Sequence, residues 1–280
     1  MNLAAVYRSA EREIKALLLG IDLEKFNGQD ALNIQGRVLK IVAGLNVSAE
    51  RWIDDDLMKS YHAGERRAKV ALEILGRKPK KPATSDPRVK IKDDVYTTLY
   101  RSNRSILKTT ETYLSVAMLA AGELRAAQVQ EFDFGNEAAA IGAMSAEAVA
   151  AGSSRGVLKR LILAHLRTLV TDGNLIEING RNYKIGKYAE MVARTEIRKA
   201  QTEAVKEKCR EYDNDLVKVS DHGTECAECK DIEGEVYSLS GTHPDYEQLP
   251  DFPPHPNCEH DISPTSEEAI AVNKEWEAYQ

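Results

Sequence analysis

No apolar run in the 280-residue sequence approaches the roughly 20 residues that a membrane span requires, so no membrane partner is expected. The N-terminus, MNLAAVYRSAEREIK, is amphipathic and charged and lacks the continuous apolar core of a secretory signal. That pattern predicts synthesis and folding in a cytoplasm, where structural disulfides are disfavoured. Basic residues are nearly missing from the last sixty positions. Residues 221–280 carry two Lys and Arg against fifteen Asp and Glu, a balance of −13, whereas the first 220 carry 36 basic and 29 acidic residues, a balance of +7. Phosphate contacts need cationic side chains, so the acidic end is a poor grip on nucleic acid. The remaining composition, 29% charged and 42% hydrophobic, is that of ordinary soluble protein, long enough for more than one structural unit.

What is present gathers in the same acidic region. Between residues 216 and 264 lie three of the four cysteines and four of the six histidines. Cys226 and Cys229 form a C-x-x-C pair, Cys258 and His260 form a C-x-H pair, and 28 residues separate the two pairs. Two close soft-ligand pairs joined by a loop suit a tetrahedral zinc site, each pair spanning one edge. Thiolate and imidazole favour zinc over magnesium or calcium, which prefer oxygen. The candidate ligands are therefore Cys226, Cys229, Cys258 and His260, with His222 and His255 as substitutes and His243 as a surface residue. A redox C-x-x-C, a disulfide from Cys258 to Cys226 or Cys229, and buried cysteines without a ligand are the competing readings. A metal beside so much negative charge would be structural, not part of a DNA-reading finger.

The remainder predicts an α+β protein, with a long, mostly helical N-terminal part before a small hairpin, helix and strand module. The expected segments are a helical region over 1–78, a linker over 79–92, a helical region over 93–173, an α+β module over 174–264 and a C-terminal helix over 265–280. Val6, Ile14, Leu17, Leu18 and Ile21 suggest a first helix, and Leu32, Gln35, Val38, Leu39 and Val42 a second. Ser48 reads as the N-cap of a third, with Trp52, Leu57, Tyr61 and Ala68 as its apolar face and Gly76 as its terminator. Gly76 to Pro87 reads as a basic connector. From Asp93, Val95, Leu99, Ser102, Ile106, Tyr113, Val116 and Ala120 recur at helical spacing. An alanine-rich stretch (136–152) and a basic amphipathic helix ending near Gly173 follow. Asn179–Gly180 between short β runs predicts a hairpin. Ala189, Ala193, Ile197, Ala200 and Ala204 form a narrow face able to sit close on a sheet that includes Leu216–Ser220. Thr265 or Ser266 would cap the last helix.

The runs ARTEIRKAQTEA, DLVKVSDHGTECAECKDIEGEVYSLSG and PPHPNCEHDISP resemble the C-terminal half of phage minor head proteins, the Mu F-like head morphogenesis and related minor capsid proteins. The matching residues are Arg194, Thr195, Glu196, Asp221, His222, Cys226, Cys229, Gly234, Asn257, Cys258 and His260, within residues 188–264. The resemblance implies a non-enzymatic virion protein in the phage head, assembled in the bacterial host cytoplasm. It would sit at the portal vertex, act in head assembly, genome packaging or delivery, and contact the portal and other head proteins. Packaged DNA and further copies of the chain are additional partners to consider. Some relatives continue into toxin domains; with sixteen residues after Pro264, none is expected here. The closing His260 replaces the second cysteine of the Mu-like form, which preserves zinc ligation but not a disulfide.

Two other functions compete. Cys258 with His222 and Asp221, or with His260, would make a cysteine hydrolase. The basic segments Arg77 to Lys81 and Arg155 to Arg167 would make a DNA-binding virion protein, with strong salt dependence.

Overall fold

The structure, a computed structural model, describes residues 1–80, 86–126, 164, 166, 168, 170, 175–178 and 180–277. The helices are α1 (Leu3–Leu19), α2 (Gly28–Trp52), α3 (Met58–Ile74), α4 (Pro87–Ala126), α5 (Ile185–Glu211), α6 (Ala227–Lys230) and α7 (Glu267–Glu277), with a π-helical turn at Ile53–Leu57. The strands are β1 (Ile176–Ile178), β2 (Arg181–Tyr183), β3 (Leu216–Val219), β4 (Val236–Ser238) and β5 (Ile262–Pro264). The mostly helical N-terminal part with small antiparallel sheets beyond it is the α+β class read from the sequence. Its alanine-rich 136–152 stretch lies outside the described residues. Of the basic helix after it, Ala164, Leu166, Thr168 and Val170 are described and helical.

The described chain divides into two compact units. One comprises Asn2–Ala49 and Thr97–Glu190. In α1, Leu3, Tyr7, Ala10, Ile14 and Leu18 are buried at steps of three and four, so the seam includes Tyr7 and leaves Val6 and Leu17 half-buried. The Asn2 side chain caps α1 by accepting the Ala5 N–H at 3.1 Å. Ser48 does not begin a new helix, because α2 runs through it. Val42, Leu45 and Ala49 continue one buried stripe there, and that burial outweighs the modest preference of serine for a cap. Leu32 and Leu39, expected on the apolar face, are exposed. In α4 the expected face is buried along its whole length, from Leu99 and Ile106 to Ala120 in this unit. Asn103 donates to Asn46 at 2.7 Å, which ties α4 to α2. β1 and β2 pair antiparallel, Ile176 opposite Tyr183, around Gly180 at φ 72°, the left-handed conformation the turn requires.

The other unit comprises Met1, Glu50–Tyr96 and Met191–Gln280. Its three-stranded antiparallel sheet has the order β4-β3-β5, with Val217 opposite both Tyr237 and Pro264. One face of the sheet, Val217, Val219, Tyr237 and Ile262, packs with Val205 and Cys209 of α5, Ala68 of α3 and Phe252. Small residues let the helices approach closely. Gly64 of α3 lies so near α5 that an added Cβ would stand 2.9 Å from the Gln201 carbonyl oxygen. Gly76 ends α3 at φ 69°, and the Arg77 N–H then reaches back to the Leu72 carbonyl at 2.9 Å. The basic connector follows the end of α5, with Lys80 N–H on the Glu211 carbonyl at 2.8 Å and its ammonium 3.4 Å from Asp213. Ser266 caps α7 through the Ala269 N–H at 3.3 Å.

Candidate metal centre

The cysteine and histidine residues come from two connections hung on the sheet, β3 to β4 and β4 to β5. Cys226 precedes α6, a single helical turn that carries Cys229 one turn on. The C-x-x-C pair thus opens a helical turn, where the sequence suggested only an acidic loop. Backbone N–H groups of Cys229 and Glu228 directed at the Cys226 sulfur lower its pKa. Cys229 is pushed up to about 12, first by burial and then by the neighbouring Cys258 and Cys226. A cation held among the three sulfurs would lower the pKa of each thiol and favour the thiolates.

Four side chains, Cys226, His255, Cys258 and His260, gather around Cys229. Its Sγ lies 2.9 Å from His255 Nε2 and 3.8 Å from Cys258 Sγ. Cys226 Sγ stands 3.4 Å from the same His255 nitrogen, and Cys258 Sγ 3.5 Å from His260 Nδ1. Two groups able to hold a metal ion result, Cys226 with Cys229 and His255, and Cys229 with Cys258 and His260. With zinc–sulfur bonds of about 2.3 Å, the edge of a tetrahedral site is about 3.8 Å, so the Cys229–Cys258 spacing fits one. Thiol and imidazole donors without a carboxylate oxygen in either group are a soft set.

Both imidazoles are oriented from behind. His255 Nδ1 is 2.8 Å from the Pro256 carbonyl, which turns Nε2 towards the sulfurs and raises the His255 pKa. His260 Nε2 is 3.0 Å from Glu233 Oε1, which turns Nδ1 towards Cys258. Glu233 also accepts the backbone N–H groups of His222 at 2.5 Å and Thr224 at 2.9 Å. Burial acts to raise the Glu233 pKa, but these hydrogen bonds and the His260 charge hold it near 2.

The four first-choice ligands and both substitutes, His222 and His255, fall in or beside this cluster. Cys226, Cys229, Cys258 and His260 all belong to it, Cys226 and His260 through different groups. His255 joins as a full member. His222 bonds Ser220 Oγ at 2.9 Å and places its ring 5.0 Å from that of His260. His243 is half-buried, 3.5 Å from Glu267. Cys209, the fourth cysteine, lies in the core, with its thiol pushed up to about 12 by burial. All four cysteines are free. Glu196 pairs with Lys199 at 3.0 Å. Asp261, next to His260, receives Arg198 at 3.0 Å and Arg67 at 3.1 Å. Sequence reasoning missed Glu233 and Asp261, which are two carboxylates among many in an acidic stretch.

Fold and site together define a largely helical protein carrying a small α+β module organised on a Cys/His cluster. Residues 170–277 match the family model for phage minor capsid protein 2. The resemblance seen in residues 188–264 is thereby supported, and with it a phage minor capsid protein family, a structural role in the head and a place in the virion. Residues 1–169 lie outside the matched region. No significant match was found among curated proteins or among solved structures. Among the described residues, no helix is long and apolar enough to cross a membrane.

Proposed function

We propose that this chain is a non-enzymatic structural protein of the portal vertex, acting in head assembly and in packaging or delivery of the genome. Its C-terminal module would be closed by one zinc ion held by Cys226, Cys229, Cys258 and His260. The observation that carries the metal reading is the meeting of the two ligand pairs at Cys229, 3.8 Å from Cys258, across 28 intervening residues. The family match carries the head reading. A bound zinc would supply charge for the thiolates and a crosslink between α6 and the loop before β5; it would do no chemistry on a substrate. The surroundings favour this over a Cys258 hydrolase, because Cys258 is buried against another thiol and His222 bonds Ser220. The basic segment Arg155 to Arg167 keeps DNA contact as a secondary property to be tested by salt dependence.

The test is the metal content of protein purified without chelator, beside a Cys226→Ser/Cys258→Ser variant. About one zinc per wild-type chain is expected, with loss of metal and of thermal stability in the variant. Metal-free wild-type protein whose Cys258 reacts rapidly with an alkylating probe would overturn the reading in favour of the hydrolase. The vertex assignment is tested by imaging heads assembled with a tagged chain. Label at a single vertex is expected, and label spread over all vertices would refute it.

A further inference from the structure

Helices α2 and α4 lie side by side and antiparallel, because Asn103 donates to Asn46 at 2.7 Å and Gln35 to Glu111 at 3.0 Å. Leu39 follows Gln35 by four residues and precedes Asn46 by seven, so it shares the edge of α2 that faces α4. Leu32 stands a further seven residues back on the same edge. Both leucines are nonetheless open to water, Leu32 at 61% and Leu39 at 49%. On the facing edge of α4, Arg104 lies seven residues before Glu111 and Lys108 three before it, and on α2 Lys40 adjoins Leu39. Lys40, Arg104 and Lys108 are exposed, and none is in an ion pair among the described residues. Against them stands Glu111, which Gln35 already holds. The result is a shallow groove with an apolar wall and unpaired positive charge along its rim.

The complement of that groove is carried by the same chain. Helix α7 has 11 residues, about 16 Å, and the stretch of α2 from Leu32 to Ala43 spans about the same length. Glu267 and Glu268 open α7 and are exposed, and one turn on Ala271 and Val272 are exposed as well, Val272 at 55%. The surrounding residues 221–280 carry a net charge of −13. We propose that α7 of a second copy docks in the α2–α4 groove, its glutamates towards Lys40, Arg104 and Lys108 and its Val272 against the leucines, as an amphipathic helix lies in a groove. Nucleic acid is the poorer occupant, because a phosphate backbone gains nothing from exposed leucines. Groove and helix are different surfaces, so the contact is head-to-tail and adds copies until a ring closes. One short helix buries little area, which makes the association weak and reversible. No residue of the metal cluster takes part.

The test is analytical ultracentrifugation of the full chain over a range of concentrations. Mass rising with concentration is expected at low salt, with return to monomer at high salt, where exposed charges are screened. Arg104→Glu/Lys108→Glu and Glu267→Lys/Glu268→Lys are each expected to weaken self-association about tenfold or more, because like charges then face one another. Mixed in equal amounts, the two variants should pair again, since the intact α7 of the first meets the intact groove of the second. Leu39→Ser leaves the charge alone and should weaken association too. Monomer at every concentration, or a mixture that stays monomeric, would overturn the contact. So would association untouched by the α7 variant or by Leu39→Ser. A wild type that stays monomeric yet binds a short DNA duplex, and loses it in Arg104→Glu/Lys108→Glu, would transfer the groove to nucleic acid. Zinc content of each variant, measured alongside, keeps failure of this contact separate from failure of the metal site.

Discussion

His260 stands between two partners, with Nε2 3.0 Å from Glu233 Oε1 and Nδ1 3.5 Å from Cys258 Sγ. A carboxylate behind a histidine sets the tautomer and makes the facing nitrogen a better donor to a metal. Because Glu233 also receives the His222 and Thr224 N–H groups, it pins the loop after β3 to the same imidazole. Glu233→Gln keeps the shape and loses the charge. Its expected effect is a metal affinity about tenfold or more weaker, read by competition with a chromogenic chelator. An unchanged affinity would mean that His260 is not a ligand.

The two imidazoles give opposite predictions. With His260 as the fourth ligand, His260→Ala releases the metal, whereas His255→Ala removes only a neighbour of Cys226 and Cys229 and keeps it. Metal content of the two variants decides the matter, and the reverse ranking would transfer the position to His255. His255 lies closer to the sulfurs of the C-x-x-C pair, so the experiment has real power to correct the assignment.

Much of this architecture was legible because it follows local rules. The α4 face was readable since seven positions over a long helix repeat at helical spacing, and all seven are buried. Gly180 announced the hairpin through turn chemistry, and Ser266 announced α7 as a cap. Ser48 misled because a good cap residue says nothing about whether the apolar stripe continues past it; only burial of Leu45 and Ala49 does. At the cluster, ligand spacing pointed to the cysteines and His260. The role of Glu233 arises instead from a tertiary approach between the turn after α6 and the loop before β5, and no spacing encodes that. His255 was legible only as a substitute ligand beside His222, because its place depends on how the proline-rich return folds.

Asp215 provides the pH dependence. Burial acts to raise its carboxyl pKa, but hydrogen bonds from the Ser238 hydroxyl at 2.5 Å and the Ser240 backbone N–H at 2.7 Å bring it below the ordinary range. A folded-state pKa below the unfolded one contributes stability above the unfolded value, near 3.9, and loses it as the pH falls through the folded one. Asp215→Asn is therefore expected to cost about 1 kcal/mol near neutral pH, a modest figure because the group is partly open to water. The gap between wild type and variant should close in acid. Denaturant titrations across the pH range test this, and a gap that widens with acid would refute the sign.

Gly64 and Gly36 separate helix propensity from packing. Both lie in helices, so alanine at either position should gain up to about 1 kcal/mol from reduced backbone freedom. At Gly36 nothing lies within 4 Å of an added Cβ, and Gly36→Ala is expected to stabilise the protein. At Gly64 the added carbon would meet the Gln201 carbonyl oxygen at 2.9 Å, the Gln201 Cα at 3.1 Å and the Ala204 Cβ at 3.2 Å. Two of those atoms are backbone and cannot swing aside, so α3 and α5 must separate. Overpacking of this kind costs about 1–3 kcal/mol, more than the propensity gain, and leaves Gly64→Ala destabilised. Opposite shifts in the denaturant midpoint are the expected result. If both variants are stabilised, the close helix approach that carries the sheet and its cluster is not as tight as the geometry requires.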